Sequence, residues 1–141
     1  MHSTMILRDD RYITITMDED KSLFRTCWKD ASSNITDTEE LKSIITDICQ
    51  KLLISHPRYY IANQKAKEVA YPVDLQRWVA EQLYAASCAA SIKYVATIES
   101  SNISVSMSND QMIGEVEIKN GINVATFNDE SAALKWMKLE K

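Results

Sequence analysis

The residues able to support nucleophilic, acid–base or metal chemistry are few and widely spaced in this sequence. Cys27, Cys49 and Cys88 are its three cysteines, and His2 and His56 are its two histidines. A catalytic thiol needs a neighbouring base or a helix N-terminus, and a structural zinc site needs closely spaced Cys or His pairs. Neither spacing occurs, so we expect no enzyme activity, no metal site and no cofactor. The odd, scattered cysteines favour free, buried thiols in the reducing cytoplasm.

Two acidic groups have structural explanations. The acidic run at residues 18–20 lacks the central Gly and distal Glu of a calcium loop, which predicts a solvated hairpin turn. Glu39 and Glu40 are adjacent at the predicted start of a helix. Capping of the helix explains both carboxylates without a catalytic role.

The best candidate for binding is the polar segment that follows Asn63. It is predicted to leave the carboxyl end of a strand and enter a helix, where open α/β sheets bind ligands. Free amides at the helix start would favour an anion, Lys65 and Lys67 would add charge, and Tyr71 an aromatic surface. Asp74 competes with an anion, because its carboxylate can use the same amides. The other interpretation is a solvated loop whose lysines bind nothing specific.

Composition favours one cytoplasmic domain spanning residues 1–141. The net charge is −4, the calculated pI is about 5.2, and Lys and Arg are scattered. This balance predicts no binding to nucleic acid and no binding to an anionic membrane. The N-terminus lacks the basic segment and long apolar run of a secretory signal, and no apolar stretch is long enough to span a membrane.

The first strands are predicted to form an antiparallel meander. Residues 5–8, 12–17 and 23–28 have β-type composition, and in the second run apolar residues alternate with threonines. Residues 18–21 read as a turn between strands. Apolar edge strands in this meander would also allow a homodimer.

The first helix is predicted from a capping box at residues 36–39, in which a Thr oxygen bonds a free amide and Glu39 reaches back. Pro57 ends the helix, because the residue before proline avoids the α region. Its apolar stripe, at helical spacing, consists of Leu41, Ile44, Ile45, Ile48, Leu52 and Leu53.

The second half of the chain repeats strand and helix. Strands are predicted at residues 59–62, 93–98 and 124–127, a polar loop at residues 63–68, and helices after Pro72 and after Asn128 or Asp129. Residues 100–119 fit a strand or a helix. The order of the predicted strands and helices along the chain indicates an α/β fold with a mixed sheet. In this fold the antiparallel meander is followed by βα crossovers.

This order and several local patterns resemble the STAS-domain family, in the SpoIIAA-like branch of small bacterial anti-sigma-factor antagonists. The patterns are Cys27-Trp28 at the end of the meander, the capped helix from Thr36, the segment at residues 72–78, and the ending at residues 127–136. The resemblance implies a regulatory, protein-binding module and a helix after Ser100. In the family a kinase modifies Ser or Thr in the loop that matches residues 63–73. This chain has neither residue there, so we expect no standard phosphoswitch.

The tryptophans leave a second function open. Trp28, Trp78 and Trp136 each fall on an apolar stripe, which favours core packing. They would instead line an apolar pocket between sheet and helices if the chain were a carrier of a small molecule or lipid. The predicted partner is therefore a protein, with a small apolar or anionic ligand as the alternative.

Overall fold

Six strands in one sheet, flanked by three α-helices, form the part of the chain that the structure describes. The structure is a computed structural model, and residues 4–35, 37–64, 73–98 and 122–139 are described. The strands are β1 (Thr4–Asp9), β2 (Ile13–Asp18), β3 (Leu23–Trp28), β4 (Tyr59–Asn63), β5 (Tyr94–Ile98) and β6 (Asn123–Phe127). The helices are α1 (Thr38–Ser55), α2 (Val73–Ala89) and α3 (Glu130–Trp136), with a short 3₁₀ helix at Asp30–Asn34.

The sheet is mixed, and its spatial order follows the chain from β1 to β6. β1 pairs antiparallel with β2, and β2 pairs antiparallel with β3. The pairs β3–β4, β4–β5 and β5–β6 are all parallel. The predicted α/β class, mixed sheet and antiparallel meander are therefore confirmed, whereas the arrangement specific to STAS domains stays a prediction.

Alternation along β2 fixes which side of the sheet meets the helices. Ile13 and Ile15 are fully buried and Met17 is nearly so, whereas Thr14 and Thr16 are half-buried on the opposite side. Because successive side chains of a strand point to opposite faces, this pattern directs one apolar face toward the larger core. The predicted strand period is confirmed.

The larger core lies between the sheet and the pair of helices α1 and α2. Ile44, Ile48 and Leu52 of α1 and Val79 of α2 are at most 1% exposed and belong to one apolar cluster with the inward residues of β2. The predicted stripe of α1 is confirmed except at Leu53, which is 41% exposed. Cys49 takes the inward position instead.

The start of α1 differs from the predicted capping box. Asp37 is the N-cap, and its carboxylate accepts a 2.9 Å hydrogen bond from the backbone N–H of Glu39. Thr38 is already the first helical residue. A carboxylate at the N-cap satisfies a free amide and interacts favourably with the helix dipole, so Asp37 alone explains the helix start.

The other face of the sheet is covered by α3. Ala133 of α3 is fully buried, and it clusters with Leu23 of β3, Ile61 of β4 and Ala96 of β5. Asp129 caps α3 by accepting a 2.9 Å hydrogen bond from the N–H of Ala132. The prediction that Asn128 or Asp129 caps this helix is confirmed for Asp129.

The cysteines are free, as predicted, but two of them are not buried. Cys49 is buried in the larger core, whereas Cys27 and Cys88 are exposed. Cys27 lies between the buried residues Thr26 and Trp28, so strand alternation turns it to the opposite face. The expectation of three buried thiols was therefore wrong at these two positions.

Two further predictions concern membrane-spanning helices and the structure of residues 100–119. No helix in the described ranges is long and apolar enough to cross a membrane. Residues 100–119, for which strand and helix were both open, lie outside the described residues.

Candidate functional site

The end of β4 is the position that the sequence singled out for binding. Asn63 is the last residue of this strand and is half-buried. It pairs in register with Cys27 of β3 on one side and with Ile98 of β5 on the other. Asn63 therefore lies at the carboxyl edge of the parallel half of the sheet, which is where open α/β sheets bind ligands.

The structure places two of the predicted site residues, Asn63 and Asp74. Asp74 is exposed in the first turn of α2. Lys65, Lys67 and Tyr71 lie outside the described residues. The proximity of all five side chains consequently stays a prediction.

Gln64 directly follows β4 and is buried, in contrast to the solvated loop predicted for it. Its backbone N–H donates a 3.0 Å hydrogen bond to the carbonyl oxygen of Ile98, which extends the pairing of β4 with β5 by one residue. The Gln64 side chain is only 7% exposed, and its buried Oε1 accepts no hydrogen bond within the described part of the chain. The strand period could have indicated this, because Gln64 follows the buried residues Tyr60 and Ala62 at a spacing of two.

A charged pair accompanies the site on the α3 side of the sheet. The Nε of Arg25 on β3 lies 3.1 Å from Oε1 of Glu130, the first residue of α3. Cys27 follows Arg25 on the same face of β3 by strand alternation. Sequence reasoning missed this pair, because the partners are more than a hundred residues apart in the chain.

The electrostatics around Cys27 favour the neutral thiol. Partial burial raises its pKa, and the negative charge of Glu130 raises it further, while Lys29 acts in the opposite direction. A thiol with a raised pKa carries little thiolate at neutral pH, and the thiolate is the nucleophilic form. The immediate surroundings of Asn63 thus offer hydrogen-bonding and charged groups rather than an activated nucleophile.

A separate open groove of about 620 Å³ runs along the solvent-facing side of α1. Most of its lining residues have polar or charged side chains of both signs, among them the carboxylates of Glu39 and Asp47 and the cations of Arg8 and Lys42. The ammonium group of Lys42 lies 5.5 Å from the centre of the Trp78 ring of α2. Because the cations are already matched by carboxylates or by this ring, the groove indicates no particular class of ligand.

Within the described ranges, no three or more His, Cys, Asp or Glu side chains are grouped so as to hold a metal ion. Comparisons with protein-family models, with curated proteins and with solved structures find no match. The resemblance to the STAS-domain family therefore stays a prediction from the sequence, and function has to be argued from the site.

Proposed function

We propose that this chain is a non-enzymatic regulatory module of the STAS type, in the SpoIIAA-like branch, that acts by binding a protein partner. The contact surface comprises the end of β4 and the start of α2. Its residues are Asn63, Lys65, Lys67, Tyr71 and Asp74. The observation that carries the proposal is the position of Asn63, between Cys27 and Ile98 at the carboxyl edge of three parallel strands.

Asn63 is held by a strand with neighbours on both sides, and this favours recognition of a protein partner at the carboxyl edge of the parallel strands. β4 is paired on both sides, and its residues Tyr60, Ile61 and Ala62 are buried. A polar side chain at the end of a strand held in this way keeps its position when a partner binds. Such pre-organisation lowers the ordering cost of association.

The composition of the connecting segment favours constitutive binding over a phosphorylation switch. Residues 63–73 contain no Ser or Thr, so a kinase has no hydroxyl of the usual kind to modify there. Thr26 and Thr97, on the strands that neighbour β4, are each at most 4% exposed. Partner binding is therefore proposed to be regulated by the amount of partner rather than by modification of this loop.

The alternative function is a small-molecule or lipid carrier with an apolar pocket between sheet and helices. The contacts of two tryptophans favour the binding module instead. Trp28 is 2% exposed within the larger core cluster, and Trp136 lies edge-on to Tyr94 at 5.4 Å and against Phe127 at 5.4 Å. These indole surfaces are occupied by protein contacts.

Affinity capture with matched variants tests the proposed surface. The tagged wild-type chain is compared with a variant that combines Lys65→Ala, Lys67→Ala and Tyr71→Ala, and with a second variant, Asp74→Ala. The control is Lys93→Ala, which removes an exposed charge before β5, at the opposite edge of the sheet. We expect one partner to be recovered by the wild type and the control and to be lost from the triple variant.

Recovery of the same partner by the triple variant at wild-type yield contradicts the proposed surface. Native mass spectrometry of the purified chain separates the two functions. A co-purified small molecule that persists in the folded protein supports the carrier, and its absence beside a stable protein complex supports the binding module.

A further inference from the structure

Three half-buried aromatic rings meet on the α3 side of the sheet, where the parallel strands begin. Tyr59 is the first residue of β4, Tyr94 is the first residue of β5, and the two pair in register. Their rings are stacked, with the centroids 5.5 Å apart and the planes inclined by 20°. Trp136 of α3 packs edge-on against Tyr94 at 5.4 Å. Each of the three side chains keeps part of its surface open to solvent.

Exposed cations accompany these rings. The guanidinium carbon of Arg58 lies 6.0 Å from the centre of the Tyr59 ring. Lys135 precedes Trp136 and Lys138 follows it by two residues, and all three of these cations are exposed. The last turn of α3 lies against Tyr94, so its two lysines are brought to the same side of the sheet as Arg58.

No carboxylate of the described residues forms an ion pair with these three cations. The cations of the ion pairs found in the described ranges are Arg8, Arg25, Lys29, Lys42 and Lys51. An aromatic ring has no net charge, so Arg58 keeps its full positive charge and its N–H donors for an acceptor. The sequence after Leu139 adds one acid and one base, which cancel. Positive charge is therefore concentrated beside the rings, although the net charge of the chain is −4.

We propose that this surface docks an acidic segment of a protein partner, which presents carboxylates and one apolar or aromatic side chain. Tyr, Trp and Arg are the residue types that contribute most to binding energy at protein interfaces. The rings would cover the apolar side chain, and the cations would pair with the carboxylates. The aromatic–basic surface consists of Arg58, Tyr59, Tyr94, Lys135, Trp136 and Lys138.

The turn between β2 and β3 favours a short acidic peptide over a nucleic acid strand. Glu19 and Asp20 are exposed in this turn, and the carbonyl oxygen of Ser22 accepts 3.0 Å hydrogen bonds from the backbone N–H groups of Arg58 and Tyr59. The turn therefore borders the aromatic–basic surface on the β3 side. A strand with a phosphate at every nucleotide would meet these like charges, whereas a peptide can place its few carboxylates over the cations alone.

The aromatic–basic surface is distinct from the partner surface at Asn63. It lies at the start of β4, whereas Asn63 is the last residue of that strand. Lys93 directly precedes Tyr94, so strand alternation directs its side chain to the opposite face. Lys93 therefore does not belong to the aromatic–basic surface.

Three synthetic peptides test the proposed chemistry on the unmodified chain. The first has a central Phe with two Glu on each side, the second replaces every Glu by Gln, and the third replaces the Phe by Ala. We expect the first to bind with a dissociation constant on the order of 0.1–1 mM, since a short flexible peptide loses conformational freedom on binding. Each of the other two should bind at least about fivefold more weakly. NMR spectra of the isotopically labelled chain give the constants and show whether the signals of Tyr59, Tyr94 and Trp136 shift.

Two matched double variants test the assigned residues. Arg58→Gln with Lys138→Gln should raise the dissociation constant of the first peptide at least about fivefold. Arg77→Gln with Lys93→Gln removes the same charge at exposed positions outside the surface, and should change the constant by less than about twofold. Because all four side chains are exposed, the fold is expected to be retained. Equal weakening by the two double variants would mean that only net charge matters, and would overturn the proposal.

Other results also decide against an acidic protein segment. Unshifted ring and amide signals at about 5 mM of the first peptide, or equal affinity for the Gln peptide, overturn the proposal. Tighter binding of a short single-stranded oligothymidine would instead assign the surface to nucleic acid. Shifts of the same signals when only the protein concentration is raised would assign it to a second copy of the chain.

Discussion

The guanidinium of Arg8 donates a 2.8 Å hydrogen bond from Nη1 to Oδ2 of Asp47, which joins the edge strand β1 to α1. The same guanidinium donates from Nε to Asp10 at 2.7 Å, and Asp47 also accepts from Lys51 at 2.6 Å. The side chains of Arg8 and Asp47 are each 25% exposed, so water screens their pairing only in part. This network of ion pairs connects β1, the outermost described strand, to α1.

Removing the Arg8 side chain should loosen the β1 edge. We expect Arg8→Ala to lower the free energy of unfolding by about 1–2 kcal/mol, because hydrogen bonds to charged groups are lost and Asp47 keeps only Lys51. Urea denaturation measures the change. The variant Lys138→Ala, at an exposed position after α3, serves as control, and an Arg8→Ala protein as stable as this control would contradict the expectation.

The same network predicts a dependence of stability on acid. Burial alone would raise the pKa of Asp47, but the hydrogen bonds and charges of Lys51 and Arg8 outweigh it and hold the pKa below its usual value of 3.8. The stabilisation is therefore complete above about pH 4 and is lost as the pH falls through the lower pKa of the folded state. Urea titrations at several pH values should show the stability gap between wild type and Asp47→Asn narrowing below about pH 4. If the stability difference between wild type and Asp47→Asn widens as the pH falls, the pKa of Asp47 is raised rather than lowered in the folded state.

A buried hydroxyl pair offers a test inside the larger core. The hydroxyl oxygens of Thr26 and Tyr60 lie 3.2 Å apart, and the Tyr60 ring meets Phe24 edge-on. Burial raises the pKa of Tyr60, so it stays protonated and can donate. Tyr60→Phe should cost about 1 kcal/mol, because Thr26 is left unpaired in the core. The double variant Tyr60→Phe with Thr26→Val should lose less free energy of unfolding than the sum of the two single variants. Strictly additive losses would show that the two hydroxyl groups do not interact.

The identity of the α1 cap can be tested directly. Asp37 supplies the carboxylate that accepts from the N–H of Glu39. Asp37→Ala should therefore cost about 1 kcal/mol, and Asp37→Ser should recover most of it, since Ser is also a good N-cap. Thermal unfolding monitored by circular dichroism gives both values. A loss with Thr36→Ala that exceeds the loss with Asp37→Ala would favour the capping box expected from the sequence.

The three thiols should differ in reactivity. Burial raises the pKa of Cys49 to about 11, and its Sγ lies 3.5 Å from the carbonyl oxygen of Gln82. Cys27 and Cys88 are exposed. A colorimetric thiol assay on the native protein should therefore label these two, with Cys49 reacting only after unfolding. Labelling of all three cysteines in one fast phase would disagree with the described burial.

Local patterns predicted the regular elements well, because period and capping act within a few residues. The alternation from Ile13 to Met17 and the stripe from Leu41 to Leu52 correspond to a buried strand face and a buried helix face. The errors arose at the ends of these patterns. Gln64 continues the buried period of Tyr60 and Ala62 beyond the predicted end of the strand, and Leu53 is exposed although it extends an apolar stripe.

The candidate site was predictable only in part. The sequence predicted a polar loop that begins at Asn63 directly after a strand, whereas Asn63 is the last residue of β4. The neighbours of Asn63 depend on sheet order, which no local pattern encodes. Cys27, and the ion pair that Arg25 forms with Glu130, therefore became visible only in the assembled fold.

β3 is the strand at which pairing changes from antiparallel to parallel, and this has a consequence for how the chain folds. The pairings of β1, β2 and β3 need only short turns to close. The pairing of β3 with β4 needs the whole α1 connection, whose closure costs more chain entropy. Local contacts generally form faster than distant ones, so the meander can assemble first and serve as the template on which β4, β5 and β6 dock in order. As the chain leaves the ribosome, β3 would thus be the growing edge of the sheet before it becomes part of the interior.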